Sequence, residues 1–195
     1  MSILDQLIAW DQQALVYLNT HVSAAWADLA MIILSGTFIW IPFYAVLLYF
    51  LIKKFNYNTI WIIVCVAITI ALCDQLASGI AKPLAQRLRP CHEPSILPLL
   101  RMVTDCGGEY GFFSSHASNT FGLACFIWLM MGKEKPWNWL FAWAAIVSYS
   151  RIYLGKHYPL DILAGALCGI LVAFIMAKLC EQLMKRYPIK LNSNG

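Results

Sequence analysis

Charge is what this 195-residue chain has least of. Asp, Glu, Lys and Arg together make up 12% of it, against 61% hydrophobic residues. That balance excludes an ordinary soluble domain, which carries roughly twice as much charge, and it reads as an integral membrane protein. There is no basic run of the kind a nucleic-acid tract needs, and the net charge of +4 is spread in short clusters, so no nucleic-acid partner is expected. The seven cysteines form no Cys-x-x-Cys pair, which removes the commonest thiolate metal site. Cys65, Cys73, Cys125, Cys168 and Cys180 fall inside apolar segments, where a thiol behaves as a small hydrophobe. No internal repeat or low-complexity tract appears. The opening Met-Ser-Ile-Leu-Asp-Gln-Leu lacks the basic start and cleavage site of a removable signal peptide.

What is present is a series of apolar runs, and the expected fold is a single all-α membrane-embedded domain over residues 1–195. Ser2 to Asn19 sets Leu4, Leu7, Ile8, Leu15 and Leu18 among Asp5, Gln6, Asp11 and Gln12, a pattern too polar to span and suited to an amphipathic helix along the interface. Ala24 to Leu51 is apolar but broken at Ser35-Gly36-Thr37. It is either one tilted helix or a short helix, a break and a span from Ile39. Further spans are expected over Thr59–Ala81, Phe112–Met131, Asn138–Leu154 and Leu160–Leu183, each long enough or nearly so for a bilayer core that needs about 20 residues. The total is five or six.

The basic residues then fall into two groups. Lys53 and Lys54, Lys133 and Lys135, and Lys185 and Arg186 close successive spans and mark the cytoplasmic side under the positive-inside rule. Lys82 to Gly111, Ser114 to His116, and Arg151 to His157 consequently emerge together on the other face, and the cations that break the rule are gathered in one place. Cations at membrane helix ends commonly only snorkel to headgroups, but scattered snorkelling does not predict a cluster. A cluster points to an anionic ligand. Asp74, near the end of its span, needs a partner, and Lys82 or an arginine beyond it is the candidate.

Ser150 to Asp161 concentrates the chemistry. If Pro159 occupies the first turn of a helix, where its missing N–H costs nothing, His157 lies just before that helix. Asp161 then sits four residues on, within reach of an imidazole nitrogen. Ser114 and Ser115 are natural N-cap residues whose hydroxyls and neighbouring N–H groups suit phosphate oxygens, and His116 stands beside them. Lys82 and Arg89, seven apart, would share one face if the helix ran through both. Arg87 and Arg101 are off that register. Cys91 and Cys106 lie in the one long polar loop, where a disulfide can form if the loop faces an oxidising compartment.

Lys82 with Arg89-Pro90, then Ser114-Ser115-His116, then Ser150-Arg151 with His157 and Asp161, resembles the three-part signature of the type 2 phosphatidic acid phosphatase family. The resemblance covers about residues 59–184 and is nearest to the small bacterial membrane lipid phosphatases. It implies that His157 is a nucleophile forming a phosphohistidine and that Asp161 holds its ring. It also implies that His116 is the acid for the leaving oxygen and then the base for water. Lys82, Arg89, Arg151, Ser114 and Ser115 would bind phosphate, with no metal or other cofactor. The partner would be a phosphorylated membrane lipid: lipid A, undecaprenyl pyrophosphate, phosphatidylglycerol phosphate or phosphatidic acid. The expected place is a bacterial inner membrane with the site on the periplasmic face. Two rival readings are phosphotransfer to a lipid hydroxyl and a non-enzymatic anion-binding or transport protein. The family's second motif is commonly Pro-Ser-Gly-His, and here Phe113 and Ser115 replace the proline and glycine.

Overall fold

The structure is a computed structural model and describes residues 2–189. Among the described residues every regular element is helical, and the only β contact is an isolated bridge between Leu88 and Tyr110. Helix α1 spans Ile3–Thr20, with Ser2 and Asp5 forming a reciprocal capping box at its start. Helix α2, Asp28–Ser35, stops at Gly36. A short 3₁₀ turn over Phe38–Trp40 then leads into α3, Ile41–Phe55, which ends on Lys53 and Lys54. Of the two arrangements open for Ala24 to Leu51, the chain takes the broken one.

Helix α4, Thr59–Asp74, runs on through a π-helical stretch, Gln75–Ala81, into the short α5, Lys82–Ala85. Gln86 adopts a left-handed conformation and ends the helix there. Irregular chain with two 3₁₀ turns follows as far as Ser114. Helices α6 (Ser115–Met130), α7 (Trp139–Tyr153) and α8 (Pro159–Arg186) complete the fold. These lie within a few residues of the expected runs.

The core is the crossing of α6 and α8, flanked by α4 and α7. Its closeness follows from small residues. A Cβ placed on Gly165 would lie 2.5 Å from the Ser114 carbonyl oxygen, and one on Gly169 only 2.1 Å from that of Ser118. Gly165 and Gly169 thus form a small-xxx-small ridge that lets two backbones touch, as helices must where lipid gives no hydrophobic drive. Leu47, Ile62, Phe126, Leu140, Val172 and Met176 fill the space below.

The outward faces remain apolar: Leu163, Leu167, Leu171 and Ile175 on α8, and Ile60, Ile63, Val64, Ile68 and Leu72 on α4, are all exposed. So much uncovered apolar surface suits a hydrocarbon solvent rather than water. On α1 the usual pattern is reversed. Ile3, Leu4 and Leu7 face outward, while Asp11, Leu15 and Asn19, at four-residue spacing, are buried.

Candidate active site

The ends of α5, α6, α7 and α8 meet on one face of the bundle. Pro159 opens α8 at its first residue, so His157 is the last but one residue before the helix and Asp161 lies in the first turn. Nδ1 of His157 is 3.4 Å from Oδ2 of Asp161, and the same oxygen accepts the Tyr158 backbone N–H at 3.0 Å. This leaves Nε2 of His157 as the free ring nitrogen. Burial pushes the His157 imidazole down to about 4, against the opposing pull of Asp161. The ring is therefore neutral at ordinary pH and has a lone pair to offer.

Ser114 caps α6, its hydroxyl accepting the Ala117 N–H at 3.4 Å, and its own N–H donates to the Asp161 carbonyl at 3.1 Å. The starts of α6 and α8 are thereby joined through backbone, and His116 and His157 are brought to one place. His157, Arg151 and Arg89 all lie near enough for their charge to act on His116.

The cations arrive by different routes. Lys82 donates from Nζ to Ser115 Oγ at 2.9 Å and to Ser78 Oγ at 3.1 Å. Ser78 in turn donates to Asp74 at 3.4 Å, so the expected Asp74–Lys82 pairing is made through a serine. Ser78 sits in the π-helical stretch, a distortion found mostly at functional sites. Arg151 is buried near the C-terminal end of α7 and donates to Ser35 Oγ, while its Nε has no partner among the described residues.

Arg89 is not on a helix. Because α5 ends at Ala85, the two-turn register expected to align Lys82 with Arg89 does not exist, and that expectation is corrected. Arg89 instead lies in extended chain. It is held by the Tyr110 carbonyl at 3.3 Å from Nε and by the Cys106 carbonyl at 3.2 Å from Nη1. Cys91 and Cys106 are joined by a disulfide, with Cα atoms 5.8 Å apart, so the loop that grips Arg89 is itself closed.

Four residues escaped the sequence reading. Ser35 and Ser78 hold cations; the Ser35-Gly36-Thr37 break was visible as an interruption but not as a ligand to arginine. Arg87 donates from Nη1 to Asp161 Oδ1 at 2.7 Å and from Nη2 to Asp11 Oδ2 at 2.6 Å. Neither Arg87 nor Asp11 stands in a motif. His92 and His21 are exposed, the first bonded to the Gly107 carbonyl and the second stacked on Tyr17.

Beneath His116 a cavity of about 510 Å³ descends between α3, α4, α6 and α7. Ser35, Thr37, Asn119 and Thr120 contribute its polar lining, and Tyr44, Leu51, Ile62, Val66, Leu123 and Ile127 much of its apolar wall. From His116 to Ile127 along α6 is about 16 Å of helix rise.

The PAP2 superfamily model matches residues 58–185, which takes in all three motifs. A Bacteroides thetaiotaomicron protein named lipid A 4'-phosphatase is 39% identical over 92% of this chain and 82% of its own length. A Porphyromonas gingivalis protein of the same name is 33% identical over 80% of this chain and 62% of its own. The crystal structure of a transmembrane PAP2-type phosphatidylglycerolphosphate phosphatase from Bacillus subtilis superposes with a TM-score of 0.68. It covers 91% of this chain and 88% of that one at 19% identity, a likeness of fold. Motif, sequence and fold agree, and the chain belongs to the PAP2 superfamily.

Proposed function

We propose that the protein is a membrane lipid phosphatase that removes the 4'-phosphate of lipid A by way of a phosphohistidine. The observation that carries this reading is the joining of the α6 and α8 starts, which sets two imidazoles among Lys82, Arg89 and Arg151 above an apolar cavity. His157 attacks phosphorus through Nε2 while Asp161 holds its ring. The lipid oxygen leaves with a proton from His116, which then takes a proton from the water that cleaves the P–N bond. Lys82, Arg89 and Arg151, with Ser114 and the Ser115 N–H, stabilise the charge on the equatorial oxygens, the largest contribution in phosphoryl transfer. The Nε of buried Arg151, without a partner among the described residues, is a donor suited to such an oxygen. The cavity gives one hydrocarbon chain a seat below the phosphate.

Helices α3, α4, α6, α7 and α8 cross the bilayer as five spans, α1 lies at the interface, and residues 1–195 act as one domain. The site opens on the periplasmic face of a bacterial inner membrane. The choice of lipid A is supported by the two relatives named for that activity.

Purified chain in detergent, given lipid A, undecaprenyl pyrophosphate, phosphatidylglycerol phosphate and phosphatidic acid in turn, should release inorganic phosphate fastest from lipid A. Mass spectrometry should show the 4'-phosphate gone. No release from any of the four, or transfer to a lipid acceptor in place of release, overturns the proposal. Lys82→Ala and Arg89→Ala should lower kcat and kcat/KM together, and His157→Ala should abolish turnover.

A further inference from the structure

Asp161 has two oxygens, and only one faces His157. The other, Oδ1, accepts Arg87 Nη1 at 2.7 Å, and the second Arg87 nitrogen bonds Asp11 Oδ2 at 2.6 Å. Asp11 Oδ1 accepts the Leu160 backbone N–H at 2.9 Å, so α1 holds the first turn of α8 as well as the arginine. The Arg87 guanidinium lies over the Tyr158 ring, 4.1 Å from its centroid. Side-chain exposure is 0% for Asp161, 1% for Asp11 and 23% for Arg87. Two buried carboxylates share one cation, and each has its remaining oxygen tied to the segment carrying His157.

We propose that Asp11 and Arg87 are positioning residues for the reacting histidine: a carboxylate–guanidinium–carboxylate bridge that fixes Asp161 and sets how much negative charge it presents to His157. Helix α1, which lies before the segment matched by the family model, is thereby part of the active site. The inference rests on the phosphatase reading. The bridge explains why α1 turns Asp11 inward although its neighbours on the opposite face are apolar.

The charged and titratable groups acting on His157 are Asp161 on its own side, Arg89 from the loop, Arg151 from α7 and His116 from α6. Arg87 and Asp11 stand behind Asp161, and Lys82 and Lys156 belong to the same basic cluster. Arg87 bonds the carboxylate that faces His157 and Asp11 bonds Arg87, so Arg87 draws charge away from the imidazole and Asp11 partly gives it back. Removing Asp11's charge should make His157 less basic, and removing Arg87's should make it more so.

The test is the pH dependence of kcat/KM for lipid phosphate release by full-length protein in detergent micelles. The acid limb should move to lower pH in Asp11→Asn and to higher pH in Arg87→Gln, by about half a unit or more, with the double variant between wild type and Arg87→Gln. Turnover should fall roughly tenfold in each single variant, and Arg87→Lys should recover part of it. Asp11→Asn guards against misfolding, since it leaves Arg87 paired with the buried Asp161. Limbs that all coincide with wild type, with activity merely scaled by the folded fraction, overturn the inference and leave the phosphatase reading standing; so do limbs in the opposite order. A wild-type chain without turnover overturns the phosphatase reading and this inference with it.

Discussion

Gly169→Ala should damage a reaction whose groups it never touches. The added Cβ would lie 2.1 Å from the Ser118 carbonyl oxygen and 2.8 Å from the Gly122 nitrogen, both backbone atoms with no rotamer to escape by. An ordinary contact is 3.4 Å or more, so α6 and α8 must part by about 1 Å. His116 and Ser114 ride on α6, and His157 and Asp161 on α8. The separation therefore pulls apart the two imidazoles that the proposed mechanism sets on one phosphorus. A displacement of that size costs on the order of 100-fold in rate. Overpacking costs about 1–3 kcal/mol, less the roughly 1 kcal/mol that alanine returns in helix propensity. For a chain of this length that means thermal unfolding lowered by up to about 8 °C. Phosphate release and thermal unfolding in the same detergent measure both, with Gly108→Ala as control because nothing lies within 4 Å of its added Cβ. Wild-type turnover in Gly169→Ala would refute the claim that the glycine ridge sets the catalytic distance.

Three further outcomes are expected. With His157 held at about 4 by burial, the acid limb of kcat/KM that reports this group should fall well below pH 6.5. Because its folded pKa is below the unfolded one, stability should be full above about pH 6.5 and be lost as pH falls toward about 4, which denaturant titrations at several pH values would check. Reducing the disulfide, or Cys91→Ser with Cys106→Ser, should cost about 3 kcal/mol of loop-closure free energy and raise KM several-fold, because Cys106 supplies a carbonyl to Arg89. Intact-mass analysis shows whether the bond has gone, and unchanged kinetics without it would separate the loop from the site. Ser115→Gly should loosen Lys82, whose ammonium bonds the Ser115 hydroxyl at 2.9 Å, and raise KM more than it lowers kcat.

Most of the candidate site's local geometry was legible because its side chains come in fixed local spacings. Pro159 at a helix start forces His157 just outside it and Asp161 one turn on, and no tertiary fact is needed to see that. Ser114 as a cap follows equally from the chemistry of helix ends. The failures have one cause each. Aligning Lys82 with Arg89 assumed an unbroken helix, whereas Gln86 turns left-handed and the disulfide loop then brings Arg89 back by its backbone. Gly165 and Gly169 were visible, but their use depends on which helix they face. Asp11 was read as part of the wet side of an interfacial helix. Asp5 and Gln6 stay exposed, while Asp11 and Asn19 turn inward. There Asn19 bonds the Tyr153 carbonyl at 2.7 Å and Asp11 bonds Arg87. Arg101 and Asp28 are paired in the same way, α2 to loop, with Tyr153 sharing the carboxylate at 2.6 Å. Such pairs carry no local pattern.

The most direct measurement is to trap the intermediate. In His116→Ala both steps lose their proton carrier: a phosphoryl group should reach His157 slowly, and the water that releases it should go unactivated. Full-length variant mixed with radiolabelled phospholipid substrate and quenched in base, where phosphohistidine survives, should carry the label on the peptide containing His157. Label on another residue, or none while phosphate is still released, would contradict the account.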